Sequence, residues 1–257
     1  MKTIIILSTA LFTTTSYSLT ADEIVKKSNL ASYYSGDDGK SYVKMDIKDS
    51  QGRKRKRELI ILRKDLEEGG KQLFYLYFRK PSDVRKMVFL VHKNIKTDDF
   101  RWLYLPALDL VKRIAASDKR TSFVGSNFFY EDVSGRSVNE DKHELINTTD
   151  NSYIVKNTPV NPDSVEFSFY TVEIDKKTYL PLKAVYTDKN GKEYRIAEVL
   201  SVENIKGFAT VTKSRIKNLV SGSETVISFS KVKYNLGLKK KIFTERYLRK
   251  VPRIARK

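Results

Sequence analysis

Residues Asp98 to Gly135, DDFRWLYLPALDLVKRIAASDKRTSFVGSNFFYEDVSG, hold the pattern on which the fold turns. The stretch opens with an aromatic and aliphatic run, Phe100, Trp102, Leu103, Tyr104 and Leu105, which Pro106 stops because proline has no N–H for a sheet ladder. This predicts a strand with an abrupt end. Leu108, Leu110, Val111 and Ile114 then mix with Asp109, Lys112 and Arg113, predicting a second short element with one apolar and one charged side. Last comes Phe123-Val124-Gly125-Ser126-Asn127-Phe128-Phe129-Tyr130, an aromatic cluster broken by small polar residues that favour a turn with rings on either side. The pair Glu131-Asp132 closes it. On a strand these neighbours would point to opposite faces, which argues against paired-carboxylate chemistry.

Upstream, Thr20 and Glu23 form a capping-box pattern, and Ile24, Val25 and Leu30 share one side of a short helix. Ser35-Gly36-Asp37-Asp38-Gly39 breaks it. From Tyr42 the pattern alternates strictly, with Val43, Met45 and Ile47 facing inward, and Asp49-Ser50-Gln51-Gly52 turns the chain into a second strand from Arg53 to Arg63. The run Arg53-Lys54-Arg55-Lys56-Arg57 on that strand is either a solvated face or a contact for headgroups or a partner. Leu73 to Phe78 and Met87 to Val91 do not alternate, so both faces of these strands must be covered. Either they lie centrally between a helix layer and a second sheet, or they line a closed or half-closed barrel. Downstream, seven strands separated by turns between His143 and Tyr234 predict an antiparallel meander. Phe243 to Leu248 fits a helical turn before a basic tail, Arg249 to Lys257.

The chain has 257 residues, 40% of them hydrophobic and 31% charged, enough for one substantial core. Forty-nine basic against 31 acidic residues leave a net charge of +18, which attracts phosphate-bearing surfaces. Lys2, the apolar run Ile4 to Phe12, and the small residues Ser16 and Ser18 predict a signal peptide over residues 1–18. An exported, soluble periplasmic protein is therefore expected, and the basic charge points to anionic lipid rather than nucleic acid. The absence of cysteine excludes disulfides, Cys-liganded zinc and an N-terminal lipid anchor. With only His92 and His143, no metal site is expected, and no cofactor motif is present. Catalytic signatures such as G-x-S-x-G or H-E-x-x-H are also missing, so the chain reads as no enzyme. The aromatic residues, 11% of the chain, fit either ordinary core packing or the lining of a ligand cavity.

W-L-Y-L-P-A-L, V-K-R-I, S-D-K and S-F-V-G-S-N-F-F-Y-E-D, between Trp102 and Asp132, together resemble the signature of the LolA-like outer-membrane lipoprotein-sorting proteins, in the branch often found beside export pumps. The resemblance implies a mainly β fold with a few short helices: an incomplete antiparallel β-barrel, LolA/LolB-like, covered by helices. It implies one carrier domain over residues 19–257 that holds acyl chains of lipoproteins or lipids in an apolar half-barrel during passage toward the outer membrane. The expected cavity lining is Phe74, Leu76, Phe89, Trp102, Tyr104, Leu108, Phe123, Phe128 and Phe129. Arg101, Lys112, Arg113 and Arg120 are expected at a rim that meets headgroups. The implied partners are acyl chains, inner- and outer-membrane transport components and a transient membrane surface, with no nucleic acid. A non-catalytic scaffold that partners an export pump is the alternative.

Overall fold

The computed structural model describes residues 18–256, so the expected signal peptide lies, but for Ser18, outside the described residues. Among the described residues, thirteen antiparallel strands form one sheet. The first six are β1 (Asp38–Lys48), β2 (Lys54–Asp65), β3 (Gln72–Lys80), β4 (Val88–Lys93), β5 (Phe100–Leu105) and β6 (Leu110–Ile114). The other seven are β7 (Asp141–Thr148), β8 (Ser152–Pro159), β9 (Phe167–Asp175), β10 (Pro181–Asp188), β11 (Glu193–Ile205), β12 (Phe208–Asn218) and β13 (Glu224–Tyr234). Each set is a meander, and the two join where β1 pairs with β13, with Val43 opposite Phe229 and Met45 opposite Ile227. The strand order 6-5-4-3-2-1-13-12-11-10-9-8-7 leaves β6 and β7 as the two edges. Side chains from strands as distant as β3 and β9 line one cavity, so the sheet curls into an incomplete barrel.

This order explains why residues 98–135 matter. The chain must travel from the β6 edge to the β7 edge, and residues 115–140 make that crossing over the concave face. They carry the aromatic cluster and the short helix α2 (Tyr130–Ser134). Phe123 fills the concave core, its ring 5.8 Å from Phe78 and 5.2 Å from Phe89. Asn127 pins the turn to the sheet: its backbone N–H donates to Thr225 Oγ1 at 3.0 Å and its side chain accepts from the same hydroxyl at 2.9 Å. Glu131 and Asp132 therefore sit on a helix, not on the strand their spacing suggested.

Helix α1 (Ala21–Tyr33) begins with the expected capping box, Thr20 N–H donating to Glu23 Oε2 at 2.8 Å and Glu23 N–H to Thr20 Oγ1 at 3.3 Å. Its Ile24 is fully buried against Val155 and Ile174 of β8 and β9. The helix ends over β2, where Arg63 donates to the carbonyls of Tyr33, Ser35 and Gly36. Its Tyr33 ring lies against Gly135 at the end of α2; a Cβ there would stand 2.5 Å from the ring, and φ of +75° also favours glycine.

The convex face of β2 to β5 has its own cover. Asp38, itself buried, accepts from the N–H groups of Leu236 and Leu238 at 2.6 and 2.5 Å and directs the last residues back across the outside of the sheet. That segment holds α3 (Arg246–Arg249) and α4 (Arg253–Arg256). Leu238, Phe243, Leu248 and Ala255 bury themselves against Ile60, Leu62, Leu73, Tyr75, Val88 and Leu90. Two hydrogen bonds fix it: His92 Nε2–H to the Phe243 carbonyl and Tyr75 O–H to the Tyr247 carbonyl, each 2.7 Å. The expected basic tail is thus a structural layer. It supplies the second covered face that the non-alternating strands β3 and β4 required.

The basic run 53–57 is dispersed by the pleat. Arg53 pairs with Asp49 at 2.7 Å, Arg55 donates to the Gly125 carbonyl at 3.3 Å, and Arg57 is buried beside Asp83 at 3.1 Å.

Candidate functional site

The concave face, α1 and α2 enclose a cavity of about 530 Å³. Met45, Leu59, Ile61, Phe74 and Leu76 line it from β1 to β3. Val172, Ala184, Ala197, Val199, Val211, Ile227 and Phe229 line it from β9 to β13, while Val25, Phe123, Phe128 and Val133 close it from above. Small residues sit together on the far wall: Ala184 of β10 pairs directly with Ala197 of β11. That pairing leaves room that larger side chains would fill.

One wall is charged, and most of its charges are paired within it. Glu131 of α2 is buried among Arg120 at 2.6 Å, Lys119 at 3.2 Å and Arg136 at 3.5 Å. Burial pushes the Glu131 carboxyl up, yet the three cations outweigh it and hold it below the usual range. Arg120 forks onto Glu166, Nε to Oε2 at 2.7 Å and Nη2 to Oε1 at 2.6 Å. Burial pushes the Glu166 carboxyl up, but the Arg120 contacts and the Tyr194 hydroxyl outweigh it and bring it down to about 2. Arg195 of β11 donates to Asp132 at 2.6 Å and lies between the rings of Phe129 and Tyr186, 4.4 and 5.0 Å away. These contacts clamp the crossing segment to β9 and β11. Among the described residues, no group of three His, Cys, Asp or Glu side chains is placed to hold a metal ion.

The residues of the expected lining end up in five different places. Phe74, Leu76, Phe123 and Phe128 do line the cavity. Phe89 belongs to the same concave core but sits behind the wall, fully buried and packed at a tilt against Phe123 and Tyr130, each 5.2 Å away. Phe129 lies outside the cavity, its face covered by the guanidinium groups of Arg120 and Arg195. Trp102 and Tyr104 point the other way. Leu103, between them, packs in the concave core, so period-two alternation sends both aromatic rings to the convex face, where they join the cluster around Phe243. Leu108 is 71% exposed at the tip of the β5–β6 hairpin.

The expected rim is corrected in the same way. Arg101 is only 3% exposed and pairs with Asp99 at 2.7 Å inside the core. Arg120 is locked in the carboxylate network. Lys112 and Arg113 are exposed, but they belong to the edge strand β6, and Arg113 lies 5.1 Å from the Phe100 ring on the convex side. The wall built by β9 to β13 was missing from the sequence reading. Its only signal was weak alternation, such as Ile227 and Phe229 around Ser228.

The DUF1329-like family model, whose description is that of an uncharacterized protein, matches residues 70–250. The chain belongs to the DUF1329-like family. A DUF1329 family protein from Desulfovibrio piger has 29% identity and a TM-score of 0.79, over 88% of this chain and 95% of its own. A domain from Vibrio parahaemolyticus named for outer-membrane lipoprotein sorting has 26% identity and a TM-score of 0.78, over 89% of this chain and 98% of its own. A LolA superfamily protein from Nitrosomonas europaea shares the fold, with 19% identity and a TM-score of 0.67 over 90% of this chain and 100% of its own. No curated protein matches the chain by sequence. The DUF1329-like chain thus has the LolA-like half-barrel, and no helix among the described residues is long and apolar enough to cross a membrane.

Proposed function

We propose that this protein is a periplasmic carrier that holds acyl chains of lipoproteins or lipids in its half-barrel cavity during transfer toward the outer membrane. The cavity carries the reading: about 530 Å³ walled by aliphatic and aromatic side chains from both meanders. That volume falls within the roughly 300–1,000 Å³ typical of ligand sites, and a buried acyl chain gains about 0.8 kcal/mol per CH₂. Charges along one wall face opposite charges, and the Arg195 guanidinium, whose Nε and Nη1 have no hydrogen-bond partner, is covered by the rings of Phe129 and Tyr186, so an apolar cargo meets few open charges. Kinship with the Vibrio parahaemolyticus domain supports lipoprotein sorting as its setting, and the N-terminal apolar run supports export. Inner- and outer-membrane transport components are the implied partners.

Native mass spectrometry of protein purified without detergent tests this reading. The wild-type chain should carry an acyl-bearing adduct, and Ala184→Phe or Ala197→Phe should remove it while the strand-rich circular dichroism persists. Adducts equally abundant in these variants, or absent from wild type after incubation with lipid vesicles, would place the cargo elsewhere and favour a scaffold role.

A further inference from the structure

The residues that leave the expected cavity come together elsewhere. Leu108 and Leu110, 71% and 46% exposed, flank Asp109 at the tip of the β5–β6 hairpin. Asp109 ties this tip to α3, because Arg249 donates to its Oδ1 at 2.8 Å and to its carbonyl at 3.0 Å. The segment beyond Leu238 is the most basic part of the chain. Between Lys239 and Lys257 it holds nine Lys or Arg against the single acid Glu245, nearly half of the molecule's net +18. Its core is spent on the convex face, so Lys239, Lys240, Lys241, Arg246, Lys250 and Arg253 are all exposed. Among them, side-chain ion pairs are absent within the described residues. Basic side chains usually scatter among acids on a solvated face; here they are concentrated and unpaired, in a segment that Arg249 ties to the hairpin tip with its two bare leucines.

We propose that this patch, the β5–β6 hairpin tip together with the C-terminal segment, is a docking surface for an anionic lipid bilayer. Two weak signals combine. Basic residues near an anionic leaflet each contribute roughly 1 kcal/mol through charges screened within a Debye length, and the leucine tip enters the headgroup boundary where apolar area leaves water. Neither alone holds a protein reversibly at a membrane; together they do. The aliphatic tip favours a bilayer over an acidic protein, which needs charge but no inserted leucine. The proposal does not depend on what the cavity carries.

Flotation of the full chain with vesicles tests it. Wild type should float with phosphatidylglycerol-containing vesicles and not with phosphatidylcholine alone. Replacing Lys240, Arg246, Lys250 and Arg253 by Gln should weaken binding on the order of a hundredfold or more. Leu108→Ser with Leu110→Ser should weaken it about tenfold or more at unchanged charge. Replacing Lys54, Lys189, Lys192 and Lys217 by Gln removes equal charge elsewhere and should change binding only a few-fold. All these side chains are exposed, so folding is preserved and checked by circular dichroism. Equal losses in both quadruple variants would show that net charge acts without a patch. No effect of the leucine substitutions, with competition by soluble polyglutamate, would show an acidic-protein surface. Either result overturns the proposal, and neither touches adduct retention by the cavity.

Discussion

Lys93 stands where β4, α1 and α2 meet, and its charge makes the fold sensitive to pH. Its ammonium donates to the Ser134 carbonyl at 2.6 Å and lies 5.0 and 5.9 Å from the rings of Tyr33 and Tyr34. Burial lowers its pKa to about 8, against the opposing pull of Asp99, Glu131 and Glu140 and with a small push from Arg101. A lysine whose folded pKa lies below its unfolded value costs stability while charged. The folded chain should therefore gain stability as pH rises from about 8 toward 10, by about 1–2 kcal/mol, because the unfolded chain still binds that proton. Burial also pushes the hydroxyls of Tyr33 and Tyr34 up. Unfolded tyrosines ionise from about pH 10, so the gain reverses above it. Urea unfolding across this range should show the rise in wild type and a flatter profile in Lys93→Met; identical slopes would remove Lys93 as the cause. Val43, Met45 and Ile47 could be oriented because Lys44 and Lys48 alternate with them. Trp102 and Tyr104 could not, because Leu103 between them is also apolar. With both faces buried, composition no longer reveals which parity faces the cavity, and a one-residue error exchanges the faces.

At the scale of elements, the C-terminal segment is the layer that the strands demanded but whose identity they did not reveal. Leu73 to Phe78 required two covers. The inner one was legible in the aromatic turn Phe123 to Phe129, whereas the outer one hid in a lysine- and arginine-rich stretch in which Leu238, Phe243, Leu248 and Ala255 are widely spaced. Periodicity does not register anchors that stand five to seven residues apart. The capping box at Thr20 and the loop before β1 were legible because their signals are local. The pairing of Glu131 with Arg120, and of Asp132 with Arg195, was not, because these partners meet only after the crossing segment folds over the sheet. Trp102 packs edge-on against His92, centroids 5.0 Å apart, within the cluster that Phe243 completes. Phe243→Asp puts a charge into that contact, where an uncompensated buried charge costs several kcal/mol. The variant should lose the segment, shift Trp102 emission to the red and lower the melting temperature. Unchanged emission would mean that the segment does not cover the sheet in solution.

Across the whole molecule, two meanders share one sheet through the β1–β13 pair, and the crossing segment together with α1 roofs its concave side. A single packed core would have filled that space. Alanines at positions 184, 197 and 209 instead keep the far wall thin, and the charged wall closes on itself through Arg120, Arg136 and Arg195. The antiparallel order was legible in the strand rhythm, and the incomplete barrel was implied by the resemblance that the stretch Trp102 to Asp132 carries. The cavity's second wall did not, because residues of β9 to β13 approach β1 to β3 only through curvature that no local spacing encodes. In the carrier reading, acyl chains occupy this space. A fatty acid bearing a diazirine at its chain end, photolysed with the folded protein and mapped by peptide mass spectrometry, reports which side chains surround the chain terminus. Cross-links should fall on peptides that carry Phe74, Leu76, Val199, Ile227 and Phe229, and Ala197→Phe should suppress them. Labelling confined to Leu108, Leu110 or Trp102, or unaffected by filling the cavity, would contradict the carrier reading.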